Sequence, residues 1–184
     1  NVALGDTALD SVEAGGQWNT AVGAKALTAT TTGDANSGFG RITLEANTTG
    51  AQNTAIGYAA LNANTTASNN TAVGSAALGE SITGDDNVAV GAYALDASNS
   101  TGNTALGRSA LSALTTGSYN VAVGRKALES QTTASDNVAI GHLALAVNTT
   151  GTNNVAVGAN ALDANTTASD NTAIGDNSLG ANTT

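Results

Sequence analysis

Cysteine, proline and methionine are absent from this chain of 184 residues, and aromatic residues make up only 3% of it. The absence of cysteine excludes a disulfide framework and a thiolate metal site. With so few large side chains, we expect a thin hydrophobic core. Only five residues are basic and the net charge is −9, which argues against nucleic acid or anionic membrane binding through a basic patch. The sequence shows no apolar run long enough to span a bilayer and no signal peptide.

A unit of 17 residues recurs along the chain, and a fixed short period sets the architecture before any single residue is considered. The units start with Asn at positions 1, 19, 36, 53, 70, 87, 103, 120, 137, 154 and 171, so the first has 18 residues and the sixth has 16. We expect one repeat domain over residues 1–184. Solenoids normally carry distinct capping repeats, so we also expect the chain to be a segment of a longer repetitive protein.

The columns of the aligned units predict one coil of a β-solenoid per unit. Position two is Val or Thr in all units but one, position four is large and apolar, position five is Gly and position nine is Leu. β-Branched residues flanked by Asn and Gly indicate a short strand at positions two to four. The Ala-Leu pair at positions eight and nine predicts a second short strand, and a Thr-rich turn follows. Two strands and two turns per unit predict an all-β parallel solenoid of eleven coils.

The alternation of side chains across a strand predicts which residues form the core. Positions two and four share one face of the strand, while Asn and the small residue of position three share the other. We expect the coil interior to hold the Leu of position nine and the large residue of position four. The predicted core is Leu9, Val22, Leu27, Ile56, Leu61, Val73, Leu78, Val90, Leu95, Leu106, Leu111, Val123, Leu128, Ile140, Leu145, Val157 and Leu162.

The small residues of position three predict contact with another chain. An exposed strand face would ordinarily carry charged or bulky polar residues, yet this column holds only Ala or Gly. We therefore expect it to pack against other copies of the chain around a common axis. The alternative is that these alanines pack inside a flattened coil. The residues predicted to pack between chains are Ala21, Ala55, Ala72, Ala89, Ala105, Ala122, Ala139, Ala156 and Ala173.

The Asn of position one has a structural explanation, because stacked amides can hydrogen-bond along a rod and tolerate turn backbones. Asn-Thr-Thr triplets fit the pattern for N-glycosylation, but the repeat alone accounts for them. These triplets begin at Asn47, Asn64, Asn148, Asn165 and Asn182.

All five basic residues occupy positions six and seven, where tyrosines and the only histidine also lie. Twelve of the fourteen acidic residues lie around the exit of the predicted second strand and its turn. Both regions could simply be solvated turns. Alternatively, the first could contact a ligand, or the two could pair between neighbouring chains, where exposed pairs add little each. The candidate ligand ridge is Lys25, Tyr58, Tyr93, Arg108, Arg125, Lys126 and His142.

No arrangement of nucleophile and base is visible, so we expect no enzyme. His142 has no Cys and no second His for a metal site, and we expect it at the surface. Asp85 and Asp86 form the only adjacent carboxylate pair, which no other unit repeats. Calcium loops of the Gly-Gly-x-Gly-x-Asp kind are absent. We expect no cofactor and no metal.

Units such as 70–78 and 137–145, with Asn-Thr-Ala-Val-Gly or Asn-Val-Ala-Ile-Gly and then Ala-Leu, resemble the head repeats of trimeric autotransporter adhesins. The 17-residue form with a Thr-Thr-Gly turn is more similar still to repeats of phage tail fibres and bacterial surface proteins. The resemblance covers the whole chain and implies a homotrimer of left-handed parallel β-rolls, exposed outside the cell or on a virion. The chain departs from adhesin heads in its longer unit, and we expect no neck, stalk or membrane anchor within this segment. At the irregular third unit, 36–44, we expect a local defect or kink.

Three functions are compatible with these patterns. The leading one is a structural and adhesive segment of a trimeric extracellular fibre, whose receptor the sequence does not identify. A second is a self-assembling extracellular filament in which coils continue from one chain to the next. The third is an ice-binding solenoid that uses the regular Thr pairs, for example Thr65-Thr66 and Thr166-Thr167. Neither nucleic acid nor a membrane is expected to contact this segment.

Overall fold

The computed structural model describes residues 1–13 and 15–183 and contains eleven short strands, one in each repeat unit. All eleven belong to one sheet in which each strand pairs in parallel with the next in sequence. The strands are β1 Val2–Leu4, β2 Thr20–Val22, β3 Ser37–Phe39, β4 Thr54–Ile56, β5 Thr71–Val73, β6 Val88–Val90, β7 Thr104–Leu106, β8 Val121–Val123, β9 Val138–Ile140, β10 Val155–Val157 and β11 Thr172–Ile174.

The pairing keeps equivalent positions of neighbouring units in register along the sheet. Ala89 of β6 pairs with Ala105 of β7, although the sixth unit is one residue short. This arrangement confirms the predicted all-β parallel β-solenoid with a repeat of about 17 residues; the direction of winding stays a prediction. Each unit is hereafter called a coil, numbered from the amino terminus. The described residues form no helix long and apolar enough to cross a membrane.

The predicted second strand is wrong, because positions six to eleven form a tight turn instead. The Leu of position nine has a φ of 50° to 55° in every coil, and the residue of position seven is also left-handed. These two left-handed residues curl the chain so that the amide of Ala127 donates to the carbonyl of Gly124 (3.3 Å) within one coil. The next amide, of Leu128, donates to Ala144 of the following coil (3.0 Å). The turn therefore still contributes to the stacking of coils.

The Leu of position nine forms the core, as predicted. From coil 2 to coil 10 this side chain is fully buried, and Leu9 of the first coil is half-buried against the same cluster. The Ala of position eight lies beside it and is equally buried. The confirmed core leucines are Leu27, Leu61, Leu78, Leu95, Leu111, Leu128, Leu145 and Leu162, to which the structure adds Leu44 and Leu114.

The predicted orientation of the strand is wrong, and the two faces are exchanged. From coil 2 onward the alanines of position three are at most 2% exposed within a single chain, so they pack inside their own coil and not between chains. The residues of position four point outward instead and are half-buried or exposed. The alanines concerned are Ala21, Ala55, Ala72, Ala89, Ala105, Ala122, Ala139, Ala156 and Ala173. The residues wrongly assigned to the core are Val22, Ile56, Val73, Val90, Leu106, Val123, Ile140 and Val157.

The Asn of position one explains this orientation. Its amide oxygen accepts from the backbone of the next coil, as when Asn36 N donates to Asn19 Oδ1 (2.8 Å), and its Nδ2 donates across the interior, as from Asn36 to Gly50 O (2.8 Å). These bonds confirm the predicted amide ladder and require Asn to point inward. Because side chains alternate, position three must then also point inward, where only a small residue fits.

A second polar column at position twelve is also buried. Asn47 and Asn148 donate to the carbonyls of Gly50 (3.0 Å) and Gly151 (2.9 Å), and Asn64 and Asn165 are likewise fully buried. The amide nitrogens of these four Asn-Thr-Thr triplets are therefore inaccessible to a glycosylating enzyme in the folded chain.

The irregular third coil shows no kink, contrary to expectation. Strand β3 pairs in full register with β2 and β4. In this coil alone position eight is Thr43, which is larger than Ala, and position three is Gly38. A Cβ on Gly38 would lie 3.0 Å from Thr43 Oγ1 and 3.3 Å from Leu27 Cδ1. The missing methyl of Gly38 makes room for Thr43, so the two irregularities compensate each other.

The Gly of position five is required for two reasons that can be separated by experiment. Its φ lies between 125° and 142° in every coil, a backbone conformation that residues other than glycine rarely adopt. In addition, a Cβ on Gly124 would lie about 2.5 Å from the Gly141 carbonyl, whereas a Cβ on Gly175 would meet only Ser178 at 3.9 Å.

We expect Gly175→Ala to lower the free energy of unfolding by about 1–3 kcal/mol from backbone strain alone. Gly124→Ala should lower it clearly more, because the added Cβ also meets the next coil, and urea unfolding of both variants measures the difference. Equal losses would show that the close approach of coils is unimportant.

The position-twelve column contains one repairable gap. Ser81 stands where the preceding coil has Asn64, and both Ser81 Oγ and Asn64 Oδ1 are buried without a hydrogen-bond partner. We expect Ser81→Asn to donate to Asn64 Oδ1 and to raise the free energy of unfolding by about 1 kcal/mol. The control is Ser98→Asn, which should give no gain because Ser98 Oγ already contacts Ser100 Oγ at 2.7 Å. Thermal unfolding of both variants measures this; a gain in neither, or in both, contradicts the explanation.

Candidate functional site: an exposed apolar ribbon

The outward face of the sheet is a continuous ribbon of side chains from positions two and four of all eleven strands. It contains Val, Thr, Ile, Leu, one Ser and one Phe, and no charged residue. The position-two members are Val2, Thr20, Ser37, Thr54, Thr71, Val88, Thr104, Val121, Val138, Val155 and Thr172. The position-four members are Leu4, Val22, Phe39, Ile56, Val73, Val90, Leu106, Val123, Ile140, Val157 and Ile174.

The ribbon is both long and accessible. Ten strand spacings of about 4.8 Å give it a length of roughly 50 Å along the rod. Phe39, Ile56, Leu106 and Ile140 are 40–47% exposed even though identical positions stack above and below them. A long apolar surface without charges marks a site of interaction with another surface. This is the most distinctive surface feature that the structure adds to the sequence.

One edge of the ribbon is basic and aromatic. The chain leaves each strand through Gly and reaches positions six and seven, so the predicted ridge residues Lys25, Tyr58, Tyr93, Arg108, Arg125, Lys126 and His142 all lie along this edge. All of them are exposed except Lys126, which is half-buried. Stacking of coils brings some together. The guanidinium of Arg41 lies 5.6 Å from the Tyr58 ring centroid, and Arg125 Nη1 lies 3.2 Å from His142 Nε2. Their role in binding stays a prediction.

Eleven of the fourteen acidic residues fall into two columns; Glu13 lies at position thirteen, and Asp6 and Asp176 lie at position six, on the basic edge. One lies at positions sixteen and seventeen, on the ribbon edge opposite the basic one, and holds Asp34, Asp85, Asp86, Asp136 and Asp170. The other lies at positions ten and eleven, behind the basic edge, and holds Glu45, Glu80, Asp96, Glu129 and Asp163 among others. In this second column Glu45 pairs with Lys25 (3.3 Å) and Glu129 with Lys126 (3.0 Å). The two ribbon edges therefore differ in charge.

The threonines of positions thirteen and fourteen form two unlike columns. Hydroxyls at position thirteen donate to the carbonyl of the same position in the next coil, as from Thr48 to Thr65 (3.0 Å) and from Thr149 to Thr166 (3.0 Å). At position fourteen the side chains, for example Thr116 and Thr133, are exposed. Only one of the two Thr columns therefore offers its hydroxyls freely to solvent.

Within residues 1–13 and 15–183, no pocket is found, and no group of three or more His, Cys, Asp or Glu residues is placed to hold a metal ion. Comparisons with protein-family models, with curated proteins and with solved structures each return no match.

Sequence reasoning found both edges of the ribbon but placed its apolar side chains inside the coil. The signal that could have located them is the range of side-chain sizes that each position of the repeat contains. Position three accepts only Ala or Gly, as a confined space requires, whereas position four accepts Val, Ile, Leu and Phe. A column that tolerates such different volumes is more consistent with an open face than with a thin interior.

Asp96 gives the stability of the coil stack a dependence on pH. Burial raises the pKa of its carboxyl above the usual value, and the negative charge of Glu80 raises it further, while the backbone amide of Gly79 lowers it in part. Because the folded pKa is higher than the unfolded one, stability is fully retained below the unfolded pKa and is lost as the pH rises through the folded pKa.

We therefore expect Asp96→Asn to be more stable than the wild type at pH 7 and equal to it near pH 3. Urea unfolding of the two proteins at both pH values measures this. The control is Asp163→Asn, at the equivalent position of coil 10, which should show a smaller difference. A stabilisation of Asp96→Asn that is the same at both pH values would exclude the electrostatic cause.

Proposed function

We propose that this chain is a structural and adhesive segment of an extracellular fibre, in which three parallel copies pack their apolar ribbons around a common axis. The observation that carries the proposal is the ribbon itself: about 50 Å of charge-free, largely apolar and partly exposed surface on one side of the coil stack. The ribbon replaces the alanine column as the contact between chains. The trimer also agrees with the repeat pattern, which resembles those of trimeric adhesins and tail fibres.

A second copy of the same chain is the partner that best suits this surface. The ribbon repeats every coil, so only a surface with the same repeat matches it along its whole length. In a parallel arrangement around an axis, the basic edge of one ribbon faces the acidic edge of its neighbour. The signs of Arg125 on one edge and Asp136 on the other, both in coil 8, are then complementary. Such exposed pairs would favour the parallel orientation of the chains but would add little to the affinity between them.

Packing in this way leaves the remaining sides of each coil facing outward. The Thr column of position fourteen and the acidic column at positions ten and eleven would cover the fibre, and the basic residues would border the grooves between chains. A rigid rod that carries variable side chains on a fixed scaffold suits adhesion to a receptor on a cell or matrix. We accordingly propose a location at the cell surface or on a virion tail.

The oligomeric state tests the assembly. We expect light scattering of the whole chain to give the mass of three chains of 17.7 kDa. Leu106→Glu combined with Ile140→Glu places charges on the ribbon at two side chains that are already exposed within one chain. The double variant should therefore keep its β circular dichroism but give the mass of one chain, because burying unpaired charges is costly.

The control is Thr116→Glu combined with Thr150→Glu, which places two charges on the exposed Thr column of the same coils, 7 and 9. This protein should still be a trimer. A wild-type mass of one or two chains would contradict the trimer. Dissociation of both double variants would mean that added charge, and not its place on the ribbon, separates the chains.

A further inference from the structure

Positive charge is concentrated on three consecutive coils of this acidic chain. Six side chains carry or can gain a positive charge, and four of them lie in coils 7 to 9. Arg108, Arg125 and His142 occupy position six of these coils, and Lys126 follows Arg125. The first three are exposed and Lys126 is half-buried. We call these four residues the cationic column.

The stacking of coils places these side chains one above another. Leu106, Val123 and Ile140 are aligned in the sheet. The same register continues past the strands, because Lys126 N donates to Arg108 O (3.0 Å) and Leu143 N donates to Arg125 O (3.2 Å). Successive members therefore stand about 4.8 Å apart along the rod. The column is a row of basic side chains parallel to the rod axis, bordered on one side by the ribbon.

Most of this charge has no acidic partner within the chain. In the part of the chain that the structure describes, the ion pairs are Lys25–Glu45 and Lys126–Glu129, so neither arginine of the column has one. Arg125 donates to His142 Nε2 at 3.2 Å, and since a guanidinium can only donate, the imidazole nitrogen accepts without neutralising it. Like charges on neighbouring coils repel each other. An external anion would relieve the repulsion between Arg108 and Arg125.

We propose that the cationic column binds a linear acidic polysaccharide that lies along the rod, with sulfate or carboxylate groups contacting successive coils. Guanidinium groups suit this ligand because they donate in pairs to planar or tetrahedral anions. A single small anion would engage only part of the row. The inference names the ligand class of the proposed adhesive function and rests on that part of it. In the proposed trimer Arg125 also faces the acidic edge of the neighbouring chain, so binding and chain number are measured separately below.

An acidic polysaccharide suits the column better than a nucleic acid does. Tight electrostatic binding of DNA typically uses about 6–10 phosphate contacts, and the column offers at most four. It also contains no aromatic side chain on which bases could stack, since Tyr58 and Tyr93 lie in coils 4 and 6.

The test measures the affinity of the full chain for a fluorescent heparin-derived octasaccharide by fluorescence anisotropy. The measurement is made at about 50 mM and about 200 mM NaCl, because salt screens contacts between exposed charges over this range. We expect saturable binding that weakens with salt. Arg108→Gln combined with Arg125→Gln should lower the affinity about tenfold or more, because two charge-assisted contacts are lost. The control, Lys25→Gln combined with Arg41→Gln, removes two charges from the same edge in coils 2 and 3 and should change the affinity less than about twofold.

Three results would overturn the inference: no binding by the wild type at low salt, equal losses in the two double variants, or equally tight binding of a single-stranded oligonucleotide with the same number of charges. Light scattering of each protein separates this question from that of assembly. A trimer that does not bind the octasaccharide overturns only the polysaccharide site, whereas a monomer that binds it overturns only the trimer.

Discussion

The structure depends on one constraint: each coil must close within about 17 residues and keep its strand in register with the strand of the next coil. The buried Asn ladder enforces this, because the amide of Asn53 both accepts from the following Asn and donates to Ala67 O (2.8 Å) across the interior. Polar groups buried without such partners would be costly. The amides therefore fix the spacing between coils, the register of the strands and the face of each strand that points inward.

The thin interior follows from that constraint. Between the strand and the opposite turns most coils have room for one Leu, two small residues and the side chains of the two polar columns, and in coil 7 a second leucine, Leu114, takes the place of the polar residue at position twelve. Any larger residue at position three needs compensation, as the pairing of Gly38 with Thr43 shows. Little apolar area is buried per coil, so stability relies on hydrogen bonds repeated from coil to coil and on tight stacking at the Gly of position five. Repeat proteins of this kind are stabilised by contacts between neighbouring repeats.

The same constraint produces the surface on which the proposed function rests. Once Asn and Ala point inward, Val, Ile and Leu at positions two and four must point outward, where they are half-buried or exposed in the part of the chain that the structure describes. The turns on either side of the strand then become the two edges of the ribbon. Because the coils stack in register, any residue type placed at one position becomes a column. The cationic column of coils 7 to 9 and the Thr column are both consequences of this geometry.

By itself the sequence determined the period, the strand at positions two to four and the Leu core. It also determined the structural role of the Asn column and the in-register stacking. Each of these features follows from residue types that recur at the same position of successive units. Only the tertiary structure decided which face of the strand is inside. The alternation of side chains leaves two possible orientations, and hydrophobicity alone favours the wrong one, with Val22 and Ile56 buried. The hydrogen bonds of Asn36 and its equivalents select the other. They bury the polar amides and leave the apolar side chains at the surface.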